Sequence, residues 1–246
     1  MIYGKSDIGL VRDTNEDAFY FDDEINLAII ADGIGGHAQG EVASQTAIRV
    51  VREYINKNNH QQDKKKLLYN AFQEANQVVH QIQESLGENA ISGTTLSAVI
   101  IDHGILYFSH IGDSRIYVSR NKTDIEQISL DHTYLSELAR NDFKTFLSLQ
   151  GEQLSKHHNY LTKAIGPELS IEPQIGSFKL KNNDYILLTT DGIHRYLNPS
   201  NLLQQLQNSD NINEYINSII EQAIKMGGKD NITAIILLFN EGGDSK

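Results

Sequence analysis

The chain has 246 residues, 39% of them hydrophobic and 22% charged, which is enough apolar material for a full core and argues against wholesale disorder. Its formal net charge of −11 argues against a nucleic-acid or anionic-membrane partner, and zero cysteines exclude disulfides, thiolate metal ligands and cysteine nucleophiles. The opening MIYGKSDIGLVRD has no secretory leader, and no apolar run approaches the roughly 20 residues of a membrane helix, so the expectation is a cytoplasmic protein without a membrane partner.

In chain order, residues 17–21 and 26–31 read as strands, the second a continuous apolar run ending at Asp32. A helical face follows over 41–56, carried by Val42, Thr46, Ala47, Val50, Val51, Tyr54 and Ile55. Another spans 67–82, carried by Leu68, Ala71, Phe72, Ala75, Val78, Val79 and Ile82. Strand-like runs 94–101 and 105–110 flank Asp102-His103-Gly104, which reads as a hairpin turn, and 115–119 and 185–190 are further strands. Asn211 is placed to cap a helix carrying Ile212, Tyr215, Ile216, Ile219, Ala223 and Ile224 that stops at Gly227-Gly228; 231–239 is the last strand. Hairpins interrupted by helical segments predict an α+β fold of antiparallel sheets covered by helices, with residues 1–240 as one domain and 241–246 as a disordered tail.

Four acids share one local context. Asp32 ends LAIIA, Asp113 follows ILYFSHIG, Asp191 ends YILLTT, and Asp230 precedes NITAIILLF, each with glycine nearby. Any one Asp-Gly pair reads most simply as a turn. Four of them on apolar strands read differently: if the strand ends converge, the like charges need a cation, and an oxygen-only donor set suits Mg²⁺ or Mn²⁺. Asp13, Asn15, Asp17 and Glu24 fall on EF-hand spacing, but Ala18 stands where that loop needs Gly and a strand follows. Asp22-Asp23-Glu24 therefore reads as a solvated turn.

The segments SDIGLVRDTNEDAF, ADGIGGHAQGEVAS, SGTTLSAVI, HIGDSRIYV, LTKAIG, LLTTDGI and GGKDNITAII occur in the order seen in metal-dependent type 2C Ser/Thr protein phosphatases. The chain resembles the compact bacterial branch of that family over nearly its whole length. The resemblance implies a four-layer α-β-β-α sandwich of two antiparallel sheets flanked by helices, with a small flap subdomain at about 131–160. It implies that Asp32 bridges two Mn²⁺ or Mg²⁺ ions, that the Gly33 carbonyl binds one, that Asp191 and Asp230 ligate the other, and that Asp113 helps hold a weaker third metal. Glu16 and Asp17 would orient waters, Arg12 would bind phosphate, and a metal-bridging hydroxide would attack phosphorus directly. Two cations about 3.5–4 Å apart lower the pKa of a shared water and clamp phosphoryl oxygens, which is why such a site needs a rigid bridging carboxylate. For Arg12 the plainer alternative is a surface salt bridge.

The implied function is hydrolysis of phosphoserine and phosphothreonine in proteins by a monomer opposing a Ser/Thr kinase. A catalytically silent phosphoprotein-binding or kinase-scaffolding relative, and a phosphatase for small metabolites, are the alternatives. Ile34 stands where animal members carry a His proposed to protonate the leaving alkoxide; His37 reads as a structural residue of its loop. The remaining histidines are scattered, and His157-His158 reads as a solvated pair. In the flap, Phe143, Phe146, Leu147 and Leu149 either form a small core of its own or present an apolar lid or partner surface.

Overall fold

The computed structural model describes residues 1–35, 39–87, 92–149 and 160–241. One antiparallel sheet contains β1 (Ile2–Asp7), β11 (Ile232–Phe239), β10 (Asp184–Thr189), β7 (Arg115–Arg120) and β8 (Glu126–Gln127), in that order. The other runs β2 (Asp17–Asp22), β3 (Leu27–Gly35), β5 (Leu96–Asp102), β6 (Ile105–Ile111) and β9 (Gln174–Lys179), with β4 (Ser92–Thr94) pairing the far end of β3. Helices α1 (Gln39–Asn58) and α2 (Lys64–Ser85) cover the second sheet. The first is covered by α5 (Asp191–His194), α6 (Pro199–Asn208) and α7 (Ile212–Lys225). The result is the expected four-layer α-β-β-α sandwich.

The non-alternating sequence of β3 follows from this position. Leu27, Ile29 and Ala31 pack against α1 and α2, while Ala28 and Ile30 point into the core between the sheets. Burial on both faces leaves no place for a polar alternation. Each fully buried Leu or Ile contributes about 1.5–3 kcal/mol. On α1 the buried stripe is Ala43, Ala47, Ile48, Val50, Val51 and Ile55, whereas Val42, expected on that face, is 48% exposed. The helix begins two residues earlier than its apolar pattern suggests, and Val42 lies off the stripe.

The turn at Asp102-His103-Gly104 forms as expected, with positive φ at His103 (46°) and Gly104 (72°), matching the right-handed twist of β5 and β6. Asn211 caps α7 by accepting from the Glu214 N–H at 3.0 Å, and Gly227-Gly228 end the helix in positive-φ conformations. Strands β1, β8 and β9 and helices α5 and α6 go beyond the sequence expectation. β1 (IYGKSD) and β9 (QIGSFK) are short and mixed, and their glycines face aromatic rings: a Cβ on Gly176 would lie 2.2 Å from Phe108.

The flap contains α3 (Tyr134–Asn141) and α4 (Phe143–Ser148), and neither helix buries a residue. Phe143 is 59% and Leu147 64% exposed, and the Phe143 and Phe146 rings stack at 6.1 Å. The four flap apolar residues therefore form no buried core among the described residues. Both ends of the flap return to the body, through Tyr134 N–H to Tyr160 O (2.9 Å) and Thr162 N–H to His132 O (2.9 Å). Residues 36–38 with His37, 150–159 with His157-His158, and the tail from 242 lie outside the described residues.

Candidate active site

The acids singled out in the sequence meet at one end of the sandwich. Pairing of β2 with β3 sets Asp17 opposite Asp32. Asp113 follows β6 after Gly112, Asp191 opens α5 one residue beyond the end of β10, and Asp230 precedes β11. Asp32 is not at a strand tip as expected: β4 continues the ladder through Gly33–Gly35, so the carboxylate projects from within β3. Arg12, Glu16, Asp32, Gly33, Asp113, Asp191 and Asp230 line one cleft of about 270 Å³, together with Ile34, Thr95, Leu161, Arg195 and Asn231.

The backbone beneath these acids is held by threonines and one asparagine. Thr95 Oγ1 accepts from the Asp32 N–H (2.9 Å), while the Thr95 N–H and the Thr94 hydroxyl both donate to the Asp32 carbonyl (2.9 Å each). Asn231 accepts from the Glu16 N–H (2.9 Å) and donates to the carbonyls of Ile8 and Thr14 (3.0 Å each), fastening the loop that carries Arg12 and Glu16 onto the start of β11. Two of the Asp-Gly pairs are explained by close approach. A Cβ on Gly33 would lie 2.2 Å from the Gly40 carbonyl oxygen, and one on Gly192 1.9 Å from that of Asn231. No other residue fits either place without backbone movement.

Burial and mutual repulsion raise the acids' affinity for protons. Asp32 stands well above the ordinary carboxylate range because it is buried and faces Asp17, Asp191, Asp113 and Asp230. Asp17 is pushed up to about 7 by burial, against the stabilising hydroxyls of Thr233 (2.6 Å) and Thr190 (2.8 Å) on its Oδ2. Asp113 also rises to about 7, through burial and the charges of Asp191 and Asp131. Burial raises Asp191 too, against the pull of Arg195. Two oxygens remain without any hydrogen-bond partner although buried: Asp17 Oδ1 and Asp191 Oδ1.

Two arginines lie on this cluster. Arg12 Nη2 is 2.8 Å from Asp230 Oδ1, so the salt bridge considered as its plain alternative does form, with the side chain 49% exposed at the cleft. Arg195 bridges Asp191 Oδ2 and Asp230 Oδ2, the latter at 3.1 Å. In this arrangement no three acidic or imidazole side chains among the described residues close on a common point for an ion.

Sequence reading missed Arg195, although its spacing four residues after Asp191 on a helical turn is a legible signal. It also missed the threonine pairs Thr94-Thr95 and Thr189-Thr190, which stand inside the quoted motifs. The histidines are not all scattered. His110 and His132 stack at 5.1 Å, and the Gly112 N–H donates to His132 Nδ1 (3.1 Å) while the His132 N–H returns to Gly112 O (2.8 Å). Burial lowers His110 to about 3 and His132 to about 4, so both are neutral rings bracing the turn that carries Asp113.

A four-layer sandwich with its acids gathered at one end of two antiparallel sheets defines a recognisable class, and the profile described as Protein phosphatase 2C matches residues 11–235. The chain belongs to the protein phosphatase 2C family. It is 30% identical over 249 residues to Protein phosphatase PhpP of Streptococcus pneumoniae, covering 96% of each chain. Its fold superposes on the serine/threonine phosphatase PstP/Ppp of Mycobacterium tuberculosis with a TM-score of 0.86 and 29% identity, covering 98% of this chain and 99% of that one. The catalytic domain of the serine/threonine phosphatase PstP, solved in complex with two manganese ions, matches with a TM-score of 0.82 and 30% identity over 96% of both chains.

Proposed function

We propose that the chain is a divalent-metal-dependent phosphatase that hydrolyses phosphoserine and phosphothreonine in proteins. The observation that carries this reading is the meeting of Asp32, Asp113, Asp191 and Asp230 in one cleft, with Asp191 Oδ1 buried and unpartnered. Such a set is unstable as bare carboxylates and well suited to hard cations with oxygen ligands. The chemistry of this oxygen-only donor set fits the Mn²⁺ or Mg²⁺ ions that the family resemblance implies; Asp32, the Gly33 carbonyl, Asp191 and Asp230 would hold two of them, and Asp113 would help hold a third. Ions bound there supply Lewis acidity toward the phosphoryl group and make water a nucleophile near neutral pH.

The chain's own groups have separate tasks. Arg12 is exposed enough to swing from Asp230 to a phosphate dianion, which its planar fork fits. Glu16 and Asp17 are assigned to orienting water, with Asp17 Oδ2 held by the hydroxyls of Thr190 and Thr233. Among the described residues the cleft is lined by Ile34 and by no imidazole, so water is assigned as the proton source for the leaving alkoxide. An apolar groove of about 700 Å³ shares Ile34 and Leu161 with the cleft, which supports a polypeptide over a small metabolite as substrate. We read the protein as a cytoplasmic monomer, residues 1–240 forming one catalytic domain, that reverses the work of a Ser/Thr kinase.

The test is hydrolysis of a phosphothreonine peptide and of p-nitrophenyl phosphate after chelation, and again after adding Mn²⁺ or Mg²⁺. Turnover is expected to vanish with chelator and return with metal on both substrates. Undiminished turnover in chelator contradicts the metal chemistry. No turnover under any condition selects the silent scaffold, and turnover of the aryl phosphate alone selects a metabolite enzyme.

A further inference from the structure

Arg195 sits in the acid cluster but has no part in the reading above. Its backbone N–H bonds to the Asp191 carbonyl (2.9 Å), so one helical turn carries its side chain back over the Asp191 carboxylate. There its Nη2 takes Asp191 Oδ2 and its Nη1 takes Asp230 Oδ2 at 3.1 Å. One guanidinium thus ties the end of β10 to the start of β11, using two of the acids assigned to a metal. Arg12 holds the other oxygen of Asp230 at 2.8 Å. Only Asp191 Oδ1 of these four oxygens is left without a partner.

This arrangement has two opposed consequences. Without metal, a one-third-exposed guanidinium neutralises carboxylates that otherwise repel one another and carry the cost of burial. With metal, the same fixed positive charge faces the incoming cation across a site of restricted solvent, where like charges raise each other's energy. A divalent ion ligated by Asp191 and Asp230 must displace the guanidinium or tolerate it.

We propose that Arg195 is a resident counter-ion: it holds Asp191 and Asp230 together in the metal-free protein and competes with divalent cations, setting the concentration at which the site fills. The proposal rests on the metal reading of the cleft. Arg195 is a positioning residue here, since it acts on the ligands and not on the substrate.

The experiment is calorimetric titration of Mn²⁺ into chelator-stripped wild-type protein, Arg195→Gln and Arg195→Lys, with thermal unfolding of each protein with and without metal. Arg195→Gln is expected to bind Mn²⁺ about tenfold more tightly, the scale on which one adjacent charge shifts a carboxylate's affinity for a cation. Its metal-free form is expected to melt several degrees below wild type, with the gap closing at saturating Mn²⁺. Arg195→Lys keeps the charge and is expected to shift affinity less than Arg195→Gln. Equal or weaker Mn²⁺ binding by Arg195→Gln overturns the proposal, as does an unchanged or higher metal-free melting temperature. If Arg195→Gln is unfolded without metal, equal affinities of Arg195→Lys and wild type support competition by charge, and tighter binding by Arg195→Lys overturns it. A wild-type isotherm without Mn²⁺ binding fails the metal reading itself, and the competition with it; binding by wild type with no gain in the variant fails the counter-ion alone.

Discussion

The acid-bearing end of the sandwich and the flap formed by α3 and α4 are neighbours, meeting across a cavity lined by Asp113, Asp131, Leu135, Asp191 and Arg195, yet they are built differently. At the sandwich end each acid rides on or beside a strand, and its backbone is fixed. The Asp32 carbonyl accepts two hydrogen bonds, and Gly33 and Gly192 leave no room even for a methyl group. Neither flap helix has a fully buried residue, and Phe143 and Leu147 face solvent. Over-determined backbone suits groups that must hold charges in register, and weakly packed helices open at low cost. On the proposed reading, chemistry is therefore assigned to the strand ends, and selection among protein substrates to the flap.

Substitutions should separate the two regions by which substrates they affect. The largest effect is expected from Asp191→Asn, which removes the charge of a proposed metal ligand: kcat should fall about a thousandfold or more on peptide and aryl phosphate alike. Equal retention of activity on either substrate breaks the assignment of chemistry to the strand ends. Arg12→Ala comes next, raising KM for phosphorylated substrates about tenfold while kcat moves less, the loss of one charged fork on phosphate. A change confined to kcat would return Arg12 to its salt bridge with Asp230 as a structural role.

Replacing Phe143 and Phe146 by serine should lower kcat/KM for a folded phosphoprotein several-fold and leave p-nitrophenyl phosphate untouched. Equal loss on both substrates would merge the flap with the chemistry. The smallest effect concerns the His110–His132 brace. Both pKa values are lowered in the fold, so their contribution is complete above the unfolded value near 6.5 and is lost as pH falls toward 4. The raised carboxylates give the opposite slope, so the informative quantity is a difference: melting temperature should fall less between pH 6.5 and 4.5 in His110→Phe than in wild type. Parallel curves would mean that the rings are charged or irrelevant to the turn.

Much of this was legible in the sequence where one residue type satisfies one strong demand. The run LAIIA reads as a buried strand because both its faces are covered, and Asn211 and Gly227-Gly228 mark the ends of α7 through backbone chemistry alone. The acids of the cleft were visible because charge beside glycine on an apolar strand is expensive without a purpose. What stayed hidden depends on partners distant in the chain. β1 (IYGKSD) is a strand because β11 supplies its ladder from Ile2↔Leu237 to Asp7↔Ile232, and nothing local in its pattern requires that. Arg195 looks like an ordinary helix-end cation until folding brings Asp230 to its other side. Asp32 reads as a strand terminus only because the pairing with β4 is invisible from Leu27–Gly35 alone.

The most direct test of the account is Asp32→Asn, measured for stability and turnover together in the same preparation. Asp32 is a buried carboxylate whose charge the fold disfavours, so removing it should leave the metal-free melting temperature equal to or above wild type at neutral pH. Turnover of a phosphothreonine peptide with saturating Mn²⁺ should fall about a thousandfold or more. A well-folded Asp32→Asn protein that keeps turnover within about tenfold of wild type would contradict the claim that this carboxylate organises the chemistry of the cleft.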